Sequence, residues 1–103
     1  VSLLRFTAAA LVFVWIGAAR AKNHQILGRG VAWDPKTLQV ARGDTVEWKN
    51  VDVVPHNVRQ EKRVFWSKEL APGSSFRWKA TKRGTWPYKC TLHPEMTGTL
   101  EVK

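Results

Sequence analysis

The sequence predicts an all-β domain, a β-sandwich, and three observations lead there. Apolar and polar residues alternate with a period of two in several separate runs. Glycine, proline, aspartate and asparagine break those runs at short intervals, as turns between strands do. After residue 21 no run keeps a helical period, and no internal repeat or low-complexity segment interrupts the pattern.

The strands follow in order. One is expected at residues 24–27. In residues 37–41, Leu38 and Val40 share a face opposite Thr37 and Gln39. Ala41-Arg42-Gly43-Asp44 then reads as a hairpin turn, and its Arg-Gly-Asp triplet as turn chemistry rather than an adhesion motif. Residues 45–50 point Val46 and Trp48 inward and Thr45, Glu47 and Lys49 outward. Residues 75–80 do the same with Phe76 and Trp78, and residues 98–103 with Leu100 and Val102. Strands are also expected at 56–60 and 84–90. Trp66, Trp78 and Trp86 are expected to pack the core.

Residues 1–21 have a different character. Arg5 precedes an apolar run from Phe6 to Ala19, and Ala19-Arg20-Ala21 forms a small-residue cleavage pattern. This reads as a secretory signal peptide, with an uncleaved membrane anchor as the alternative. The run is shorter than the roughly 20 residues that span a bilayer. The folded domain is therefore assigned to residues 22–103, and its location to the periplasm or another exported compartment. A domain of that size has a thin core. The single cysteine cannot close an internal disulfide, so a bound metal is one remaining staple.

The formal net charge is +9 and stays strongly positive once Arg5 and Arg20 are removed. The basic residues are scattered, which suits a soluble surface that steers acidic partners. Export and the lack of a recognised module argue against nucleic acid.

Cys90, His93 and Met96 crowd the only cysteine, the only methionine and one of three histidines into seven positions. Strand parity puts Cys90 on the inward face with Trp86 and Tyr88, and His56 on the inward face with Val54 and Val58. A buried histidine needs partners for its ring nitrogens. Two histidines, one thiolate and a weak thioether match a blue-copper electron-transfer site. Structural zinc would prefer a fourth Cys or His to a thioether. Haem attachment and dinuclear copper each need a second cysteine. A cysteine nucleophile with a histidine base would leave Met96 unexplained.

These residues carry a family resemblance. Asp52-Val-Val-Pro-His56-Asn-Val58, followed by Tyr88-Lys-Cys90-Thr-Leu-His93-Pro-Glu-Met96, resembles the cupredoxins, and the short C-x2-H-x2-M spacing is similar to that of amicyanin. The likeness extends over nearly all of residues 22–103. It implies a Greek-key β-sandwich holding one copper ion near one end. His56, Cys90, His93 and axial Met96 are the implied ligands, with His56 the more buried and His93 on the solvent side. Asn57 resembles the family asparagine whose backbone N–H can donate to the thiolate.

Glu95 departs from the amicyanin pattern, and is expected to face solvent rather than the metal. Lys22-Asn23-His24, if exposed by cleavage, could wrap Cu(II) in a square plane; the competing reading is a histidine that simply starts the first strand. The functional expectation is a monomeric, non-enzymatic carrier of single electrons between redox partners with acidic docking surfaces. Copper delivery or storage is the alternative. A copper enzyme of the nitrite-reductase kind would need more histidines than this chain holds.

Overall fold

A computed structural model describes residues 20–103. All but the last two residues of the expected signal peptide lie outside the described residues, as do Arg5 and the apolar run.

Eight strands follow in chain order: β1 (Asn23–Gly28), β2 (Trp33–Asp34), β3 (Thr37–Val40), β4 (Thr45–Asn50), β5 (Arg59–Gln60), β6 (Ser75–Lys79), β7 (Gly84–Cys90) and β8 (His93–Val102). They form two four-stranded sheets, ordered β2-β1-β4-β6 and β3-β8-β7-β5. β1 runs parallel to β4, and β3 parallel to β8; the other pairs are antiparallel. The sandwich expected from alternation is what forms, and no helix occurs among the described residues.

The turn at residues 41–44 is present, with Gly43 at φ 101°. It is not a hairpin. β3 belongs to one sheet and β4 to the other, so this turn carries the chain across the sandwich. The expected strand at 56–60 is shorter than its pattern. Only Arg59 and Gln60 join a ladder, while His56 makes an isolated bridge to Leu70. β8 is longer than expected and already begins at His93.

The core holds Ile26, Val46, Trp48, Val58, Phe65, Tyr88 and Leu100 between the sheets. Trp48 is its centre, with ring centroids 5.1 Å from Phe65, 5.6 Å from Phe76 and 5.5 Å from Tyr88. Trp86 is buried and Trp78 packs half-buried against the cluster, as expected. Trp66 does not join them. It is exposed, and the Arg59 and Arg63 guanidinium carbons lie 4.7 Å and 4.0 Å from its ring centroid. Cation–π contact, rather than burial, holds that indole.

Tyr88 lies over Gly98, its cross-strand partner on β8. A Cβ at Gly98 would overlap the Tyr88 ring and hydroxyl. Gly98→Ala is therefore expected to cost about 1–3 kcal/mol by overpacking. The check is the denaturant midpoint at constant m-value. An unchanged midpoint would mean that Tyr88 can move aside.

Asp44 fastens the start of β1. It is buried, and it accepts hydrogen bonds from the Lys22 N–H (2.9 Å), the Ala41 N–H (3.0 Å) and His24 Nε2 (2.8 Å). The Lys22 backbone bond above all, then His24 and Ala41, outweighs the effect of burial and lowers its pKa from 3.8 to about 2. The ionised carboxylate thus favours the folded state. That contribution is complete above the unfolded pKa and is lost as pH falls through the window from 3.8 to about 2. Asp44→Asn should flatten the stability–pH curve in that window, measured by urea unfolding; an unchanged slope would refute the linkage.

The same contacts bear on Lys22-Asn23-His24. The His24 ring is engaged by Asp44, and residues 23 and 24 pair with Thr45 and Val46 of β4. Wrapping a cation would require opening the start of β1. This arrangement is the strand-start alternative.

Candidate metal centre

β7 ends at Cys90 and β8 begins at His93, and these two residues pair across the turn. The ladder shifts register between Lys89 and Cys90, and only Thr91 and Leu92 lie between the strands. His93 and Met96 therefore sit on β8 itself, ahead of the 98–103 expected for that strand. Parity along β8 turns Met96 inward with Gly98, Leu100 and Val102. His56 reaches the same end from the segment between β4 and β5, held by reciprocal backbone bonds with Leu70.

The result is a compact donor set. The metal-binding atoms of His56, Cys90 and His93 all lie within 4.8 Å of one another. Each histidine Nδ1 is 3.8 Å from Cys90 Sγ. His56 and Cys90 are 0 % exposed, whereas His93 is partly open to solvent. Met96, 1 % exposed, closes the group from the Gly28 side. A Cβ on Gly28 would stand 2.9 Å from Trp33 Cζ3 and 3.3 Å from the Met96 methyl, so this glycine makes room for both side chains beside the site. Trp33 seals the floor: its Nε1–H donates to the Met96 carbonyl at 3.2 Å, and its ring meets His56 edge-on at 6.0 Å.

The separations fit a metal. Bond lengths of about 2.0–2.1 Å to nitrogen and about 2.3 Å to sulfur, as for zinc, put the two donors about 3.8 Å apart at a trigonal angle. The donor types, two imidazoles with a thiol and a thioether, suit copper.

Surrounding groups orient these donors. The Asn57 N–H donates to Cys90 Sγ at 3.4 Å. The Asn57 side chain also clasps Thr91, accepting from its N–H at 2.8 Å and donating to its hydroxyl at 2.8 Å. The role expected of Asn57 is therefore visible. Glu95 is exposed, as expected.

Asp52 is a contact that the sequence reading missed. Its carboxylate lies 2.7 Å from His56 Nε2 and accepts from the N–H groups of Gly30 (2.6 Å) and Val31 (2.9 Å). Burial alone would raise its pKa, but the bonds from Val31, His56 and Gly30 hold it below the usual range. An ionised Asp52 favours the His56 tautomer with its proton on Nε2. The Nδ1 lone pair is then left facing Cys90. Asn50, fully buried, shapes this segment by donating to the Val54 and Leu70 carbonyls and accepting from the Asp52 N–H. The available signal was an acid four residues before a histidine assigned to the interior.

Residues 20–103 match the family described as "Copper binding proteins, plastocyanin/azurin family". The chain belongs to this family. It is a small blue-copper cupredoxin, and one copper ion is its cofactor. Amicyanin from Paracoccus denitrificans is 35% identical over 80 residues, covering 69% of this chain and 58% of that protein. Plastocyanin from Nostoc punctiforme is 39% identical over 69 residues, covering 55% of this chain and 50% of that one. The cupredoxin thus spans little more than half the length of these relatives. The Cu(I) form of a mutant amicyanin superposes with a TM-score of 0.75 at 28% identity, over 79% of this chain and 82% of that one. A copper-containing nitrite reductase from Thermus scotoductus gives a TM-score of 0.74 at 28% identity, over 79% of this chain but only 22% of that enzyme.

Proposed function

We propose that this cupredoxin is an electron carrier, not an enzyme, that passes single electrons between partners outside the cytoplasm. Its copper would be held by His56, Cys90 and His93, with Met96 as the axial ligand. The observation that carries the reading is the pair of 3.8 Å separations from Cys90 Sγ to the two Nδ1 atoms. Bound copper supplies a one-electron Cu(I)/Cu(II) couple at that point. The chain's own residues keep the donors still. Asp52 fixes the His56 ring, Asn57 fixes the sulfur and ties its loop to Thr91, and Trp33 anchors the Met96 backbone. Donors pinned in this way need little rearrangement when the charge of the ion changes.

His93 is the port, being the only one of the four side chains that reaches solvent. Leu92 beside it is exposed, as are Val53 and Val54 on the segment leading to His56, with Val53 at 91%. This apolar rim suits a small, transient redox contact. The positive charge of the chain favours an acidic, exported partner met by a monomer. Copper delivery fits less well, because three of the four donors are sealed from solvent and from an acceptor's ligands.

The test is the visible and EPR spectrum of the protein with one equivalent of Cu(II). An intense thiolate-to-copper band with narrow hyperfine splitting is the expected result. A pale solution with a tetragonal spectrum would overturn the ligand assignment.

A further inference from the structure

The sandwich has a second, strongly cationic end. β7 starts at Gly84, opposite Val102, and finishes at Cys90, opposite His93. The ten residues of β8, at roughly 3.3 Å each, place about 30 Å between the two ends. At the end away from His93, Arg20, Lys22, Arg42, Lys79 and Lys103 line one shallow concavity. All five side chains are exposed. Asp44 is the one acid there, buried and already engaged by three donors.

The platform under these cations is rigid. The Arg42 N–H donates to the Lys103 carbonyl (3.2 Å), Gly43 to Ala80 (2.7 Å), Lys103 to Val40 (2.9 Å) and Thr45 to Lys22 (2.9 Å). Strands from both sheets are thereby knitted together, and the charges are displayed on one surface. A redox partner seated here would be a full strand length from the candidate ligands, and tunnelling decays exponentially with distance. The chain also enters the sandwich at this end, at Arg20, directly after the apolar run that ends at Ala19.

We propose that this cationic end docks on an anionic phospholipid bilayer and turns the His93 end away from it, toward soluble partners. The recognised chemistry is a sheet of phosphate groups, each cation gaining from the negative surface potential. Cleavage after Ala21 would not change the charge. It would remove Arg20 but convert the Lys22 nitrogen, 2.9 Å from Asp44 Oδ1, into an ammonium at the same place. The surface therefore serves an anchored chain and a processed one alike, and it does not depend on the copper chemistry.

The experiment is co-sedimentation of the full chain with vesicles of phosphatidylcholine alone and of phosphatidylcholine mixed with phosphatidylglycerol. The ratio of the two partition coefficients cancels the apolar contribution of residues 1–19, and the charge of Arg5 is common to every variant compared. A ratio well above one, falling as salt is added, is expected. The double variant Arg42→Gln/Lys79→Gln should lower that ratio about 25-fold, taking each cation as worth about fivefold at the surface. Lys62→Gln/Lys68→Gln, which removes the same charge from exposed loop positions, should leave it within about twofold, a split that net charge alone would not produce. No preference for the anionic vesicles would overturn the proposal. So would equal losses in both double variants, or displacement from the anionic vesicles by inorganic phosphate at matched ionic strength, which would indicate a site for a free anion.

Discussion

Cys90→Ser is expected to remove the intense visible band of the copper-loaded protein altogether, while the chain stays folded. The band requires a covalent copper–thiolate bond, and the described residues hold no second sulfur anion to replace it. The two Nδ1 atoms would remain, along with a hydroxyl that copper binds weakly, so the ion would adopt an ordinary tetragonal EPR spectrum. Folding should suffer little. Cys90 is 0 % exposed; its sulfur accepts a bond from the Asn57 N–H and lies 3.8 Å from the Nδ1 atoms of His56 and His93. A serine hydroxyl can accept that bond, so the metal-free protein should lose only about 1 kcal/mol, read from its denaturant midpoint. Retention of the intense band would mean that the thiolate assignment is wrong.

The same residue shows what alternation can reveal. Trp86, Tyr88 and Cys90 share a face because side-chain direction along a strand has a period of two, and β7 came out with the bounds that its pattern implied. His56 was also turned inward correctly, although its strand was not there. Reciprocal bonds to Leu70 orient it instead, and local alternation contains no information about that distant partner. The pairing of strands was equally hidden. Nothing local marks β1 as the parallel neighbour of β4, or β3 as that of β8, and for this reason residues 41–44 were misread as a hairpin. Trp66 was misassigned because an indole can be satisfied in two ways. Composition favours the core, but the guanidiniums of Arg59 and Arg63 lie over its ring. The ligand types and their spacing were legible because they sit close together in sequence. What holds them was less so. Asn57 came only with the family resemblance, while Gly28 and Trp33 approach the site from strands far along the chain.

Asp52 was hidden for the same reason, and it makes the sharper test. Its carboxylate is fixed by Gly30 and Val31, more than twenty residues earlier, and it holds the proton-bearing nitrogen of His56. Asp52→Asn removes a negative charge one imidazole away from the proposed copper. It also places an amide where two backbone N–H groups and Nε2–H all need an acceptor. Both changes weaken Cu(II) more than Cu(I), because the doubly charged ion gains more from a polarised imidazole and a nearby anion. Losing such a partner typically costs about 10–100-fold in metal affinity. If the oxidised state loses tenfold more than the reduced one, the reduction potential rises by about 59 mV. Equilibrium redox titration would read that rise, while urea unfolding of the metal-free variant separates out the loop contacts, worth about 1–2 kcal/mol. A lowered midpoint with an unmoved potential would confine Asp52 to shaping the loop. A potential that rises with the blue band intact would mean that the carboxylate on the far side of His56 sets the affinity of the site for its oxidised state.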